Sequence, residues 1–255
     1  LDLNRFKNAN GLHTNALYSF HRMFKSILDS EKPTHVLVAW DAGKTTFRTE
    51  MYADYKGGRS KTPGEFIEQM PYFNVLLDAW GIPHYRLNQY EADDIIGTLA
   101  KQGEAAGYEV VVLSGDKDLI QLADNNITVK ITTKGVTELV EYTPEVIFEK
   151  YGLTPEQIID MKGLMGDSSD NYPGVTKVGE KTAVKLLQEF GSVEGIYEHV
   201  DEMKKSKLKE NLINDKELAF LSKKLARINV ESPLEITLED TLRKQQDVEA
   251  LMAFY

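Results

Sequence analysis

Apolar residues recur at helical spacing over the first part of the chain. Between residues 14 and 28 they fall at positions 16, 17, 20, 23, 24, 27 and 28, and the pair Lys32 and Pro33 ends this pattern. A second helical pattern covers about residues 63–80, and a third covers about residues 91–107. The spacing predicts three helices.

Three short runs rich in β-branched or aromatic residues alternate with these helices. They are HVLVAW (35–40), IPHYR (82–86) and YEVVVL (108–113). The first is typical of a strand that is buried on both faces of a sheet. Strands that alternate with helices at this rhythm predict a parallel α/β sheet.

The pattern changes after Ile131. The stretch 142–166 is typical of two capped helices, and nearly everything from there to the C-terminus has helical spacing. We therefore expect an α/β fold in two parts. An α/β body over residues 1–150, which includes a polar segment at about 42–80, would be followed by a helical region over residues 151–255.

The composition excludes several chemistries. The chain has 255 residues, 42% of them hydrophobic, and a formal net charge of −10, which indicates an acidic globular protein rather than a disordered tail. It has no cysteine and its five histidines lack ligand spacing, so we expect no disulfide, zinc site or cysteine nucleophile. No apolar run approaches the roughly 20 residues of a membrane span. Because the chain starts at Leu1 and stops within the apolar-periodic VEALMAFY, we expect a fragment, from a reducing compartment.

Acidic residues follow the ends of two predicted strands. Asp41 comes directly after VLVAW, and Asp116 and Asp118 come directly after YEVVVLSG. Ligands bind at the carboxyl ends of strands in open parallel sheets, and residues two apart on an extended backbone point the same way. Taken singly, each of these acids could equally be a helix N-cap or a turn residue.

Two further acidic groups come from a helix start and a loop. Glu91, Asp93 and Asp94 open the third predicted helix, where acids also complement the helix dipole, although only Glu91 and Asp94 share a face. Asp167 and Asp170 lie in MGDSSDNYPG, which could also be a plain turn. Gathered at one rim, all these carboxylates would repel one another without a cation, and they suit Mg²⁺ or Mn²⁺. Two such ions can support hydrolysis of a phosphodiester.

The segment 44–61 is locally basic in an acidic chain. Its five lysines and arginines face two acids, and aromatic residues lie between them, a mixture that binds phosphates and stacks on unpaired bases. A solvated, mobile loop is the alternative. The residues are Lys44, Arg48, Lys56, Arg59 and Lys61 against Glu50 and Asp54, with Phe47, Tyr52 and Tyr55.

Glycines flank a tight turn in PGVTKVGEKTAVKLLQEFG (173–191). Gly174 and Gly179 allow close backbone approach to a phosphate, and Lys181 begins an amphipathic helix whose first amides can bind an anion. The pattern resembles a helix-hairpin-helix at about residues 159–190, which binds DNA backbone without sequence preference; a plain helical hairpin is the alternative. A nucleotide-binding P-loop is not indicated, because GxxxxGK[ST] is missing.

Five motifs occur in an order that resembles one nuclease family. They are WDAGKTTFR (40–48), YADYKGGR (52–59), YEADDIIGTLA (90–100), SGDKDLIQL (114–122) and MKGLMGDSSDNYPGVTKVGEKTA (161–183). Together they look like the 5′ nuclease (5′-3′ exonuclease) domain of bacterial DNA polymerase I, of the Gram-positive type, within the flap-endonuclease family. The resemblance covers nearly the whole chain from about residue 10.

The resemblance implies a fold and an activity. The fold would be a PIN-like parallel sheet body with a helical arch, followed by the helix-hairpin-helix region. The family removes 5′ flaps and RNA primers from duplex DNA with two divalent ions, Mg²⁺ or Mn²⁺. The expected setting is the bacterial cytoplasm, near the nucleoid, as a monomer joined to a C-terminal polymerase domain and without membrane contact.

The resemblance also assigns roles to residues. Lys56 and Arg59 would act as catalytic residues on the scissile phosphate, Tyr55 would lie near the reacting nucleotide, and Arg48 would bind a phosphate. The hairpin would hold the downstream duplex, often with a bound K⁺, through Gly174, Val175, Gly179 and Lys181. The metal ligands would be Asp41, Glu91 and Asp93 for the first ion, Asp116, Asp118, Asp167 and Asp170 for the second, and Asp94 between them.

The chain departs from the family pattern at two places. Lys177 stands where the family commonly has glycine. The family also begins with an apolar strand that ends in an Asp-Gly pair; nothing here matches it, and Asp2 lacks both the strand and the glycine, so it is not counted as a ligand. Two rivals stay open, a stand-alone flap endonuclease and a DNA-binding fragment without hydrolysis. Because the first ligand strand is missing, we expect poor cleavage.

Overall fold

The computed structural model describes residues 6–133 and 138–255, so Asp2 lies outside the described residues. None of the helices within these ranges is long and apolar enough to cross a membrane. The strands are β1 (Val38–Ala39), β2 (His84–Tyr85), β3 (Val110–Ser114), β4 (Ile127–Thr132) and β5 (Leu139–Tyr142). The helices are α1 (Asn15–Glu31), α2 (Phe47–Met51), α3 (Gly64–Ile67), α4 (Met70–Ala79), α5 (Ala92–Ala105), α6 (Pro144–Tyr151), α7 (Pro155–Met165), α8 (Glu180–Phe190), α9 (Val193–His199), α10 (Lys207–Asn214), α11 (Lys216–Ala226) and α12 (Val248–Phe254), with 3₁₀ turns at 117–122, 200–202 and 239–241.

The strands form two small sheets within the described residues. β1 pairs with β2 in parallel, and β3 pairs with β4 in parallel, from Val110 opposite Ile127 to Ser114 opposite Ile131. β5 runs antiparallel to β4. The three predicted strands are confirmed, but neither β4 nor β5 was predicted.

The strand at 35–40 is shorter and less buried than its sequence predicts. Only Val38 and Ala39 enter the ladder, and residues 35–40 are half-buried. The expectation of burial on both faces is therefore wrong for this strand. Among the described residues β1 pairs only with β2, which makes it an edge strand rather than an interior one.

The predicted helices are present, and the second one is broken. α3 and α4 replace a continuous helix, because the chain turns at Gln69 and restarts with Pro71 in the first turn of α4. The Gln69 side-chain oxygen accepts hydrogen bonds from the Ala16 and Leu17 amides at the start of α1. The apolar faces of α1 and α4 then pack together in a cluster made of Phe24, Leu28, Leu76, Leu77, Trp80 and Ile82.

One hydrophobic core runs through both the sheet and the helical region. Val112 and Ile127 from the strands belong to the same buried cluster as Ile158 of α7 and Leu187 of α8. The cluster therefore crosses the boundary that the sequence places near residue 150. Burial of this continuous apolar surface is the main force that holds α7 and α8 against the sheet.

The expectation that nearly all of the C-terminal part is helical is wrong for residues 227–247. Apart from the short 3₁₀ turn at 239–241, this segment is non-helical and returns to the α/β body. Val36 donates its amide to the Thr241 carbonyl, and Arg243 donates to the Thr34 carbonyl. These main-chain bonds satisfy backbone groups that a helix would otherwise pair locally.

Candidate active site

Acidic residues that follow β1 and β3 lie at the carboxyl ends of these strands. Asp41 follows β1, and its Oδ1 accepts the Ala92 amide at 2.7 Å. Asp116 caps the 3₁₀ turn at 117–122, and its Oδ1 accepts the Asp118 amide at 2.8 Å. Asp116 is extended, but the 3₁₀ turn starts at Lys117, so the backbone between the two acids is not extended as expected. Asp116 therefore caps the turn that carries Asp118.

Several of the predicted ligands are close enough to perturb one another. Burial raises the pKa of Asp93 to about 7, and the nearby charges of Asp116 and Asp41 add to this effect. Burial likewise raises the pKa of Asp118 to about 6; Lys162 opposes the rise, whereas Asp116 and Asp167 reinforce it. Acids that follow β1 and β3, open α5 and lie in the loop after α7 are thus within electrostatic range of one another, and we call this group the acidic cleft. Burial, reinforced by like charges, disfavours the ionisation of Asp93 and Asp118 there.

Asp94 does not face this cleft. It is fully buried, and its Oδ1 accepts hydrogen bonds from Arg48 and the Asn229 amide. Its Oδ2 accepts from Arg48 and the Glu91 amide. Because both oxygens are occupied, the structure gives Asp94 the role of a helix cap and ion-pair partner rather than the predicted metal ligand.

Arg48 also differs from its predicted role. It is only 2% exposed, and its guanidinium donates to Glu91 Oε2 at 2.5 Å as well as to Asp94. It further donates to the main-chain carbonyls of Leu225 and Arg227. A guanidinium so enclosed is not available to bind a phosphate, because its donors are already used within the protein.

Part of the basic segment packs against the acidic cleft, although Lys44, Arg59 and Lys61 are exposed. Its helix α2 is fixed by a capping box at Thr46. After α2, Lys56 forms an ion pair with Glu91, and Arg59 forms one with Asp170 at 2.5 Å. The buried Tyr55 donates its hydroxyl to Glu91. Lys56, Arg59 and Tyr55 therefore lie against the acids, although Glu91 is already shared among several donors.

Lys162 is a further residue of the cleft that the sequence interpretation missed. Its ammonium lies 3.0 Å from Asp118 Oδ1 and 2.5 Å from Asp167 Oδ2. Burial alone would raise the pKa of Asp167, but hydrogen bonds from Lys162 and Ser169 lower it to about 2. A lysine in the last turn of a helix, directly before an acidic loop, was the available sequence signal.

The chemistry of these side chains suits a hard divalent cation. The donors are carboxylate oxygens, and the pKa values of Asp93 and Asp118 are raised by burial and, in addition, by neighbouring carboxylates. The Tyr172 hydroxyl is buried without a hydrogen-bond partner among the described atoms. No three histidine, aspartate or glutamate side chains in residues 6–133 and 138–255 already converge as a complete ligand group. The ligand types therefore suit such an ion, and the carboxylates would have to move closer together to bind it.

The hairpin consists of α7, a tight turn and α8. Gly174 has φ +61°, and a Cβ there would lie 2.3 Å from the Gly166 nitrogen. The Gly174 amide donates to Ser222 and the Val175 amide to the Leu164 carbonyl. These two residues therefore shape the turn, and their amides are not free for the predicted DNA contact.

The start of α8 is the open part of the hairpin. Gly179 caps the helix without a side-chain bond, and a Cβ there would meet nothing within 4 Å. Lys181 is exposed beside it. Lys177 adopts φ +62°, a left-handed conformation that glycine adopts without strain. The backbone at this position is thus one that suits the glycine commonly found there in the family. An open helix start with an adjacent lysine can bind a phosphate.

Comparisons with known proteins identify the family of the chain. A family described as 5′-3′ exonuclease, N-terminal resolvase-like domain, matches residues 2–152, and one described as 5′-3′ exonuclease, C-terminal SAM fold, matches residues 153–249. The chain belongs to the 5′-3′ exonuclease family. The predicted family and fold class, a PIN-like α/β body followed by a helical region, are confirmed.

The chain is similar to DNA polymerase I of Gram-positive bacteria. It is 62% identical to DNA polymerase I of Lactococcus lactis subsp. cremoris over 255 residues, which cover 99% of this chain and 29% of that protein. It is 60% identical to the Bacillus subtilis protein over 231 residues, which cover 91% of this chain and 26% of that protein. The chain thus spans less than a third of the length of these relatives.

Solved structures share the fold. A zinc-bound T5 5′-exonuclease has a TM-score of 0.70 and 27% identity, and the match covers 83% of this chain and 81% of that chain. A bacteriophage T5 flap endonuclease complex with DNA and metal ions has a TM-score of 0.71 and 26% identity, with 89% and 85% covered. The catalytic core of Rad2 with DNA substrate has a TM-score of 0.64 at 17% identity, covers 99% of this chain and 81% of that chain, and shows the fold alone.

Proposed function

We propose that this chain is a structure-specific 5′ nuclease that hydrolyses phosphodiester bonds of 5′ flaps and RNA primers in duplex DNA. It would work with two divalent ions, Mg²⁺ or Mn²⁺, as part of a longer DNA polymerase I in replication and repair. The observation that carries the proposal is the set of ion pairs that joins the acids of the acidic cleft to basic side chains: Lys56 pairs with Glu91, Arg59 with Asp170, and Lys162 with both Asp118 and Asp167. Burial and nearby carboxylates raise the pKa values of Asp93 and Asp118 in the same group.

The acids are proposed to hold the ions in two groups. Asp41, Glu91 and Asp93 would hold the first ion, and Asp116, Asp118, Asp167 and Asp170 the second; Asp94 supports Glu91 from behind through Arg48. Bound there, the ions would activate a water molecule and stabilise the leaving oxygen. Glu91 and Asp170 are buried and Asp93, Asp118 and Asp167 are half-buried, which strengthens their attraction for cations, whereas Asp41 and Asp116 are exposed.

The basic residues and the hairpin are proposed to bind the substrate. Lys56 and Arg59 lie at the edge of the cleft, where they pair with Glu91 and Asp170. A scissile phosphate would replace these two carboxylates as the partner of the cations. Tyr55 lies beside them. The open start of α8, with Gly179 and Lys181, would bind the backbone of the downstream duplex. A K⁺ ion at this turn is part of the same proposal.

A cleavage assay on a labelled 5′ flap with Mg²⁺ tests the function. Asp118→Asn should lower cleavage by at least about 100-fold while flap affinity stays near that of the wild type, because the acids serve the ions and other groups contact DNA. Asp201→Asn, at an exposed acid of the 200–202 turn, is the matched control and should cleave normally.

Other results of this assay would favour the rivals. A wild-type chain that binds flaps but never cuts them in Mg²⁺ or Mn²⁺ would be a DNA-binding fragment. Normal turnover in Asp118→Asn would remove this residue from the site.

A further inference from the structure

Two neighbouring loops meet at the edge of the acidic cleft. We call residues 52–59 the basic turn and residues 167–172 the acidic loop. The Lys56 amide donates to the Asp170 carbonyl at 2.7 Å, and the Asn171 side-chain amide donates to the Asp54 carbonyl at 2.7 Å. The Tyr55 and Tyr172 rings stack beside these bonds, with centroids 6.4 Å apart.

Both loops adopt an unusual backbone conformation where they meet. Lys56 and Asn171 each have φ +57°, in the left-handed region that side-chain-bearing residues seldom adopt, although asparagine tolerates it better than lysine. Such conformations persist only where surrounding contacts enforce them. For Lys56, one such contact is the hydrogen bond that its backbone amide donates to the Asp170 carbonyl. The others are the hydrogen bonds that the Asp54 carbonyl accepts from the Gly57 amide and the Asn171 side chain.

We propose that Asn171 is a positioning residue that fixes the basic turn on the acidic loop and so aims Lys56 and Arg59 into the cleft. The proposal rests on the proposed function of these two cations. Asn171 is exposed and pairs with no metal-ligand candidate through its side chain; its side-chain amide instead bonds the main chain of the turn that carries Lys56. A misplacement of about 1 Å in a catalytic group can cost up to about 100-fold in rate.

Two variants separate the effect of the hydrogen bond from the Asn171 side chain to Asp54 from the effect of the backbone conformation at residue 171. Asn171→Gly keeps the positive φ without strain but removes the side-chain amide. Asn171→Asp keeps the size and the tolerance for this conformation but presents an oxygen to the Asp54 carbonyl, which cannot accept a hydrogen bond from it. Asn125→Gly, at an exposed asparagine in the turn before β4, is the matched control.

The readouts are flap cleavage in Mg²⁺ and amide hydrogen exchange. We expect both Asn171 variants to lower kcat by about tenfold, with KM changed by less than about twofold, because the cations are misaimed while the contacts to DNA persist. The Lys56 amide should exchange faster, and the Val129 amide within β4 should exchange as in the wild type. Asn125→Gly should match the wild type in all of these.

Several results would overturn the proposal. Unchanged kcat in Asn171→Gly, or a rise in KM alone, would show that the bond does not aim the cations. Faster exchange of Val129 together with Lys56 would indicate a general loss of stability. If the wild-type chain does not cut flaps, the proposed function fails and the catalytic role of Asn171 fails with it, whereas the Lys56 exchange rate still reports on the contact between the loops.

Discussion

At the scale of single residues, the protonation of Asp93 connects the site to the stability of the fold. Its pKa rises from the ordinary 3.8 to about 7, mainly through burial, so the folded chain holds a proton that the unfolded chain releases above pH 4. By linkage, Asp93 contributes most favourably below about pH 4, and this contribution is lost as the pH rises through about 7. Asp118, with a pKa of about 6, acts in the same direction.

We expect the wild type to lose unfolding free energy relative to Asp93→Asn as the pH is raised from 4.5 to 7.5. Urea unfolding in EDTA at several pH values measures it, and each pKa unit corresponds to about 1.4 kcal/mol. Mn²⁺ at pH 7.5 should then raise the urea midpoint of the wild type more than that of Asp93→Asn, because an ion replaces the proton.

Asp29→Asn serves as the control, since Asp29 is an exposed acid paired with Lys25 on α1. Its difference from the wild type should vary little over the same pH range. A constant difference between wild type and Asp93→Asn would contradict the raised pKa.

At the scale of elements, the sequence best predicts the helices that bury one face over a long run, whereas β4 was missed although its residues alternate between buried and half-buried. The helices α1, α5 and α7 follow from periodicity and caps, because each has a buried stripe and a recognisable start or end. α6 buries only Ile147 and follows from its caps, Thr143 and Gly152. In the short strand β5 burial alternates along the chain, but the exposed first position is Leu139, so the sequence LVEY lacks a clear alternation of apolar and polar residues. Residues 227–247 are placed by main-chain bonds to distant segments, which no local pattern encodes.

The site divides in the same way. Acids at strand ends could be predicted, because the carboxyl ends of parallel strands meet at one edge. The burial of Arg48 could not, because its position depends on the Leu225 and Arg227 carbonyls, nearly 180 residues away. A charged residue in a polar segment otherwise indicates an exposed side chain.

The two glycines of the hairpin turn give a prediction about this element. Gly174→Ala should destabilise the chain by well over about 1 kcal/mol, since it adds a side chain at positive φ and places a Cβ against the Gly166 nitrogen. Gly179→Ala should leave stability nearly unchanged, because its Cβ would enter open space. Gly179→Ala should instead weaken binding of duplex DNA by blocking close approach to the amides of α8. Urea unfolding and a duplex-binding titration measure the two effects, and equal stability losses in both variants would contradict this account.

At the scale of the whole molecule, Arg48 connects three segments that are far apart in sequence. Its side chain joins α2 to Glu91 and Asp94 at the start of α5. It also donates to the Leu225 carbonyl in the last turn of α11 and to the Arg227 carbonyl just after that helix. The Asn229 amide closes the same network by donating to Asp94. The network therefore ties the basic segment and part of the acidic cleft to the helical region, alongside the core that the two regions share.

Removal of Arg48 separates this structural role from a contact with DNA. Arg48→Met should destabilise the chain by about 3–5 kcal/mol, because it leaves the Asp94 carboxylate buried without a cation. Arg48→Lys should lose less, since it keeps the charge but cannot make all of the bonds of a guanidinium. The double variant Arg48→Met with Asp94→Leu should recover part of the loss, because neither partner is then left charged. Urea unfolding measures these differences.

The salt dependence of flap binding by Arg48→Lys provides the second test. A phosphate contact would reduce the slope of log affinity against log salt by about 0.9, whereas a structural ion pair leaves that slope unchanged. Wild-type stability in Arg48→Met together with a reduced slope in Arg48→Lys would restore the phosphate-binding role that the sequence predicts.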